Sequence, residues 1–394
     1  MRLLNFSKFN ENLSNKRYFL PTYVECRKIC DSNDNFLFYE SKTNIDGYNV
    51  SIFNYRLAQY SDFINPLKDG TDINALELRG LTFVFGKDGT LYKRYLLLDK
   101  FFNLDQTPCS MFSVVKDYKI KNIYNKEDGS VASFIRLPNG KVLGRSKTSF
   151  QSEQAIEIQK IYEKDPNIKN FVDFCMDSDI VPIFEFVSPQ NRIVVPYANT
   201  ELILLRMRDN KTGEYLNIND YAHKLEGISV AASLGDHTLD SIKEVVVKMI
   251  GKEGVIVQFE SGKMIKIKSP WYCDRHKIFT TDLNRENTLI KFIVDETIDD
   301  VLAQLNDPVK EEEVNNITNI VNDYIKRNSF IVDDLLKNFT GNIKDFALKY
   351  SKKPLFSIAI GVINGKDKID LIKKKILSET KNLMAAREWL KENS

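Results

Sequence analysis

The chain has 394 residues, of which 43% are hydrophobic and 28% charged, and its formal net charge is +2. That length suffices for two or three domains and a sizeable core, and the near-balance of charge excludes attraction of nucleic acid by a global field, leaving any such binding to local lysine clusters. No apolar run approaches the roughly 20 residues needed to cross a bilayer, and the start, Met1-Arg2-Leu3-Leu4-Asn5-Phe6-Ser7, turns polar too early for a signal peptide. The chain therefore reads as cytoplasmic, with no membrane partner. Its cysteines, Cys26, Cys30, Cys109, Cys175 and Cys273, are odd in number and scattered, as reduced thiols are. Cys26 and Cys30 are four apart, but no second Cys/His pair completes a zinc site.

In chain order, Asn49 to Tyr55 reads as a strand within an aromatic-rich first stretch. Asp31-Ser32-Asn33-Asp34-Asn35 begins like a calcium loop, but Phe36 stands where glycine is needed and Lys42 where the closing glutamate belongs. A hairpin follows, Leu78 to Phe85 and Leu91 to Leu98 around Lys87-Asp88-Gly89, with Glu77-Leu78-Arg79-Gly80 in its first strand. Lys100-Phe101-Phe102-Asn103 then sets a lysine against two aromatics. Lys126-Glu127-Asp128-Gly129-Ser130 places a lysine just ahead of a second hairpin, Val131 to Leu137 and Lys141 to Arg145 around Pro138-Asn139-Gly140. Asn-Gly between two such runs is the strongest short hairpin signal, because both central residues take positive φ. A lysine at the mouth of a hairpin becomes a nucleophile if its surroundings lower its pKa. Taken alone, the five residues read more simply as a solvated loop lysine beside a turn-forming Asp-Gly.

Lys147 to Tyr162 has helical spacing, ended by Asp165-Pro166. Val181 to Val187 is an apolar strand with Glu185 in its middle, an acid that either faces water from an edge or is buried with a partner. Leu202 to Arg206 is another buried-type strand, ending in a turn at Thr212-Gly213, and residues 216 to 250 read as helical and connective. In a third hairpin Glu253-Gly254 enters Val255 to Phe259, Ser261-Gly262 turns, and Met264 to Lys268 returns. Period two puts Lys266 and Lys268 on one face and Ile265 and Ile267 on the other. Two lysines on one face make a compact site for phosphate oxygens, or a solvated strand face. Beyond about residue 280 the pattern turns helical, with a start at Asp307-Pro308 and Val314, Ile317, Ile320, Val321, Tyr324 and Ile325 at helical spacing, then breaks at Lys353-Pro354 and Gly365. Gly361 to Lys366 falls one residue short of a Walker loop, and Asp367 replaces its Ser/Thr. The division expected is 1–280 and 281–394.

Together and in this order these pieces resemble the covalent nucleotidyltransferase superfamily of ligases and RNA-capping enzymes. Lys126-Glu127-Asp128-Gly129 is similar to the nucleophile motif, Phe184-Glu185-Phe186 to the third motif, Glu253-Gly254 to the fourth and Lys266-Ile267-Lys268 to the fifth. A narrower resemblance is to the bacteriophage RNA ligase 1 family of tRNA repair. It is carried by Glu77-Leu78-Arg79-Gly80, Lys100-Phe101-Phe102-Asn103-Leu104, the run from Phe184 through Ser188-Pro189-Gln190-Asn191-Arg192 to Val194, and Ile265-Lys266-Ile267-Lys268-Ser269-Pro270-Trp271-Tyr272. It covers roughly residues 45 to 280, and matches of this length and order are far more specific than a lone motif.

The resemblance implies an α+β fold: an ATP-grasp-like nucleotidyltransferase domain of antiparallel sheets with helices, followed by a mainly helical C-terminal domain that biases the enzyme toward tRNA. It implies that Lys126 takes AMP from ATP, passes it to the 5′-phosphate of an RNA end, and that the 3′-hydroxyl of another end then expels it. A lysine at its ordinary pKa of about 10.4 is protonated at neutral pH, and nearby cations and burial favour its neutral form. By the same resemblance Lys266 and Lys268 contact phosphates, Glu185 engages ribose or a metal, and Glu253 holds a metal. Magnesium, or manganese in its place, suits these oxygens. Asp128 joins the catalytic set, with Asp128 and Gly129 shaping the turn that presents Lys126. Arg79, Lys100, Lys147 and Tyr272 match nucleotide-contacting positions. Leu205 and Ile256 bracket the adenine, with Phe102 as the rival. Implied partners are single-stranded RNA or a broken tRNA, and an RNA end-healing kinase/phosphatase. Two other readings stand beside this one. A capping enzyme or DNA ligase is opposed by the long runs around Lys100, Glu185 and Trp271. A non-catalytic RNA-binding protein is opposed by the presence of every lysine and carboxylate the chemistry needs. The C-terminal segment offers only a short basic cluster, Lys373, Lys374 and Lys375, which also reads as a solvated helix face.

Overall fold

The computed structural model describes residues 19–56, 58–67, 73–190, 194–273, 285–298, 302 and 308–394. Asn191, Arg192, Ile193 and Asp307 of the expected motifs lie outside the described residues. The chain divides into two compact units, Met1–Ile278 and Phe279–Ser394.

The first unit is α+β. A four-stranded antiparallel sheet joins β1 (Phe38–Ile45), β2 (Tyr48–Tyr55), β3 (Leu81–Phe85) and β4 (Leu91–Tyr95) in that order. Asp46 and Gly47, both at positive φ, close the β1–β2 hairpin as a primed turn requires. Phe38, Phe53, Phe63 and Phe83 are buried behind this sheet in edge-to-face pairs, Phe38 on Phe63 at 5.4 Å and Phe53 on Phe83 at 5.7 Å. Helix Tyr23–Asp31, opened by a capping box between Thr22 and Glu25, adds Cys26, Ile29 and Cys30 to the same core. Burial pushes the Cys30 thiol up to about 12, which makes it an inert core residue. Glu77 to Gly80 is not part of β3. Ala75–Glu77 forms a short 3-10 turn and Gly80 takes φ +84, a left-handed kink that no regular strand accommodates.

Two further sheets carry the site. Strands β6 (Ile120–Lys126), β11 (Gly254–Phe259) and β12 (Met264–Lys268) pair antiparallel, and the two-residue β5 (Phe102–Asn103) adds a parallel edge to β12. The last sheet has the order β10-β9-β7-β8, from β7 (Ser130–Arg136), β8 (Val142–Ser146), β9 (Ile180–Val187) and β10 (Glu201–Asp209). Lys126 therefore ends a strand of one sheet instead of standing in a loop, and Glu127–Gly129 carries the chain into the other sheet. Its outer face is covered by helices Glu153–Lys164 and Pro166–Asp177, whose Ile158, Phe171, Val172 and Cys175 pack with Phe134, Phe184 and Leu204. A Cβ on Gly144 of β8 would meet Ile158 at 2.8 Å, so the first helix lies directly on the strand. The expected helix from Lys147 begins only at Glu153, because the Ser152 hydroxyl accepts from Ala155 N and caps it. Asp165-Pro166 ends that helix and also starts the next, with Asp165 accepting from Asn167 N and Ile168 N.

The second unit is helical among its described residues: Glu286–Val294, Pro308–Leu336, Ile343–Tyr350, Phe356–Ile363, Lys368–Glu379 and Leu383–Asn393. Val314, Ile317, Val321, Tyr324 and Ile325 form the buried stripe of the long helix, and Trp389 packs on Tyr324 at 4.8 Å. Within the basic cluster Lys373 is paired with Glu296 at 2.6 Å and Lys375 with Glu379. No helix among the described residues is long and apolar enough to cross a membrane.

Candidate active site

Three charged side chains meet at one end of the β6–β11–β12 sheet because register puts them there. Gly254 stands opposite Lys126 on one side and Lys268 on the other. A Cβ on Gly254 would lie 2.1 Å from Ile267 O, so only glycine lets β11 enter this close to β12. The preceding Glu253, buried at 3% exposure, then sets Oε2 2.5 Å from Lys126 Nζ and Oε1 3.3 Å from Lys268 Nζ. One carboxylate thus binds two lysines.

Glu185 comes from the middle of β9, in the other sheet, opposite Val131. It is buried, and its Oε1 accepts from Gly129 N at 3.0 Å. A Cβ on Gly129 would meet Phe186 O at 2.4 Å, so the strand that leaves Lys126 can pass Glu185 only as glycine. Burial pushes the Glu185 carboxyl up to about 8, with Lys126 opposing and Glu253 adding to the shift.

Between the two sheets lies a cleft. Its walls include Asn125, Lys126, Glu127, Gly129, Val131 and Glu185 from the crossing strands, Leu205 and Arg206 from β10, Ile256, Met264 and Lys266 from β11 and β12, and Tyr55, Arg79, Leu98, Lys100 and Phe101 from the first sheet and its connections. Five cations (Arg79, Lys100, Lys126, Arg206 and Lys266) face two carboxylates (Glu127 and Glu185), the balance that a polyanionic ligand requires. Arg79 Nη1 is buried without a hydrogen-bond partner among the described residues, a donor that phosphate oxygens would satisfy. Lys100 Nζ lies 5.2 Å from the Tyr55 ring centre, and Lys147 Nζ approaches the same ring at 5.5 Å. Burial alone would raise the Tyr55 phenol, yet Lys100, Arg79 and Lys147 together hold it below its usual value.

Of the expected site residues, Lys126, Gly129, Glu185, Arg79, Lys100, Lys266, Leu205 and Ile256 line the cleft, while Glu253 pairs with Lys126, Lys268 pairs with Glu253, and Lys147 approaches Tyr55. The structure places three other expected residues outside that lining. Asp128 is 2% exposed and faces away: Oδ2 accepts from Val194 N and Val195 N at 2.8 and 2.7 Å, and Oδ1 from Tyr272 Oη at 2.9 Å. It anchors the connection after β9 and takes no place in the cleft. Tyr272 is likewise buried, its hydroxyl spent on Asp128 and its ring 5.3 Å from Lys268 Nζ. Phe102 points into the aromatic core, against Tyr60 at 5.3 Å and Phe63 at 6.2 Å, because neighbours in an extended segment face opposite ways and Phe101 takes the cleft side. Tyr55, Phe101, Tyr197 and Arg206 are not singled out as site residues by the sequence. Tyr197 Oη donates to Glu127 at 3.0 Å and accepts from Asp128 N at 3.0 Å, clamping the segment after the lysine.

A strand-borne lysine bound to a buried glutamate, at the mouth of a cationic cleft between two antiparallel sheets, places the first unit in the class of nucleotidyltransferase-type ligase folds. The RNA ligase family model matches residues 77–272, about half of the chain. The chain belongs to the RNA ligase family. A relative in Thermovibrio ammonificans named "Putative RNA ligase" is 27% identical over 304 residues, 75% of this chain and 76% of that one. Two forms of an archaeal ATP-dependent RNA ligase align with TM-scores of 0.43 and 0.48 at 12% identity, covering 73% and 95% of this chain and 76% and 99% of theirs.

Proposed function

We propose that this RNA ligase joins a 5′-phosphate to a 3′-hydroxyl RNA end at the expense of ATP, through AMP held covalently on Lys126. The observation that carries the reading is the meeting of Lys126, Glu253 and Lys268 at one strand end, with Glu185 across the cleft. In the first step unprotonated Nζ attacks the α-phosphorus; an N–P bond forms as the bond to pyrophosphate breaks. Lys126 cannot attack while held by Glu253, so substrate must part the pair. Arg79, Lys100, Lys266 and Lys268 then offset negative charge on the phosphates as it builds in the transition state. Glu185 and Glu253 are the carboxylates suited to a divalent ion, magnesium or manganese, which neutralises phosphate charge when bound. Leu205 and Ile256 hold the base from opposite walls. The RNA 5′-phosphate next displaces lysine from the AMP phosphorus, and the 3′-hydroxyl of the second end displaces AMP.

Incubation with α-labelled ATP and magnesium tests this reading. An acid-labile protein–AMP adduct is expected, absent in Lys126→Ala; an adduct that persists there puts the nucleophile elsewhere, and a GTP-specific adduct favours a capping enzyme. Sealing of a 5′-phosphate, 3′-hydroxyl single strand tests the ligase step. A broken tRNA is the substrate we favour, with an end-healing kinase/phosphatase supplying its termini in the cytoplasm and residues 281–394 conferring the preference. Removal of 281–394 should weaken tRNA sealing more than sealing of a generic single strand; equal effects sink the tRNA assignment.

A further inference from the structure

Arg206, a charged group on the cleft wall, has no part in the chemistry above. Strand β10 is bulged: Leu204 pairs with Phe184 and Arg206 with Ile183, leaving Leu205 without an opposite number. A bulge interrupts the alternation of faces, so Leu205 and Arg206 both line the cleft, whereas an unbroken strand would turn Arg206 away with Leu204. Arg206 is 4% exposed. Its guanidinium lies 3.5 Å over the Tyr124 ring, and Nη1 donates to Leu205 O at 2.5 Å. Nε is buried without a partner among the described residues, and Tyr124 and Tyr215 act on the group electrostatically. Burial brings its pKa down to about 10, which leaves it a cation at neutral pH. Arg208, two residues on, is fully engaged by Glu77 and serves the fold; Arg206 has no such carboxylate partner among the described residues.

A buried arginine with a spare donor is costly unless a ligand completes it. Tyr124, which carries it, precedes Lys126 by two residues in β6, about 7 Å along the strand. It stands opposite Ile256, the residue placed against the base. A nucleotide with its α-phosphate at Lys126 therefore brings its base, not its phosphates, to Arg206. Guanidinium donates in a fixed fork and accepts nothing, so it reads an acceptor. The geometry points to Arg206 as a specificity-determining residue of the first step, donating to a ring nitrogen of the purine. This rests on the nucleotide occupying the cleft as proposed above. A site built around such a donor discriminates strongly against an analogue that lacks the acceptor, because the donor is then left unpaired.

The test measures adduct formation by the full chain with ATP and with 1-deaza-, 3-deaza- and 7-deaza-ATP, for the wild-type protein, Arg206→Met and Arg206→Lys, with thermal melts to establish folding. In the wild type one analogue should raise KM by about 10-fold or more with little change in kcat. In Arg206→Met the same analogue should behave as ATP does, within about twofold, and Arg206→Lys should recover part of the difference. If Arg206→Met does not fold, Arg206→Lys carries the comparison. Equal use of all three analogues by the wild type overturns the assignment, as does a penalty that persists undiminished in the folded variants. Failure of the wild type to form any adduct with ATP itself overturns the nucleotide reading, a result separate from both of these.

Discussion

Arg208 and Glu77 form a buried two-point ion pair, Nη2 to Oε1 at 2.7 Å and Nη1 to Oε2 at 2.9 Å, with both side chains at or below 1% exposure. Arg208 also donates to Leu97 O and to Gly213 O. The pair ties β10 to the turn that presents Arg79 and to the segment that leads to Lys100, whose backbone N–H donates to Leu76 O. The two cations of the first sheet's side of the cleft thus depend on it.

Breaking that pair should cost far more than its net contribution. Glu77→Gln leaves a buried guanidinium without its counter-charge and should lower the unfolding free energy by about 3–5 kcal/mol in urea titration. Joint replacement, Glu77→Leu with Arg208→Met, should recover part of the loss, since no orphaned charge remains. A Glu77→Gln protein as stable as wild type would show that water or a rearranged side chain replaces the carboxylate.

Glu253→Gln keeps the shape of the residue and removes the charge that Lys126 and Lys268 share. Adenylyl transfer should fall by about 10²- to 10³-fold in kcat, the scale for losing one organised electrostatic group, and the magnesium midpoint should move to higher concentration. Unchanged kcat with unchanged magnesium dependence would remove Glu253 from the chemistry.

The parts of this site legible in the sequence are those with local signatures. Period-two alternation separates Lys266 from Ile265, and an acid inside the apolar run at Glu185 demands a partner, whereas the close passes that require Gly129 and Gly254 show only in the fold. The rest depends on tertiary detail. β5 has two residues, too few for a period to say that Phe101 rather than Phe102 faces the cleft. The bulge that turns Arg206 inward leaves no mark in Leu202 to Arg206. Asp128 and Tyr272 sit in motif runs yet are bound to each other, and a motif does not distinguish touching the substrate from holding the loop beside it. The hairpins were readable strand by strand, yet not that Lys126 closes one sheet while Ser130 opens another.

Asp99, next to Lys100, provides a pH signature. Burial, and then the Glu77 charge, push its carboxyl up to about 6, against Arg208 and the hydrogen bond from Tyr215. The folded state therefore holds a proton that the unfolded chain, with an ordinary carboxyl near 3.8, has released. Between about pH 4 and 6 the folded state binds more protons, so unfolding free energy should decline as pH rises and level off above about 6. Asn at this position still accepts from Tyr215 but does not titrate. Asp99→Asn should flatten that decline and be the more stable protein at pH 7. An identical pH profile in the variant would assign the slope to another group.

Asp128 and Tyr272 should behave as holding residues. Tyr272→Phe removes one hydrogen bond to a buried carboxylate and should cost about 1–3 kcal/mol in stability. Asp128→Ala, which leaves both backbone N–H donors and the Tyr272 hydroxyl without their acceptor, should cost at least as much. With folded protein at low temperature, KM for ATP in Tyr272→Phe should stay within about twofold of wild type, as expected of uniform retention of the cleft. A selective rise in KM without loss of stability would return Tyr272 to the nucleotide's contacts.

Gly254→Ala tests the geometry that gathers the charges. The added methyl would stand 2.1 Å from Ile267 O and 2.8 Å from Lys268 Cα, both backbone atoms that cannot swing aside, at a φ of +150 that side chains rarely adopt. The strand entry must shift, taking Glu253 away from Lys126 and Lys268, while Val257 and Phe259, further along β11, stay in their core. A misplacement of about 1 Å at a reacting centre costs on the order of 10²-fold in rate. Adduct formation should therefore fall by about that factor, while nucleotide affinity, carried by walls that do not move, changes little in equilibrium binding. Equal losses in affinity and rate would show that the cleft itself has collapsed, and full activity would show that Glu253 need not sit where β11 puts it.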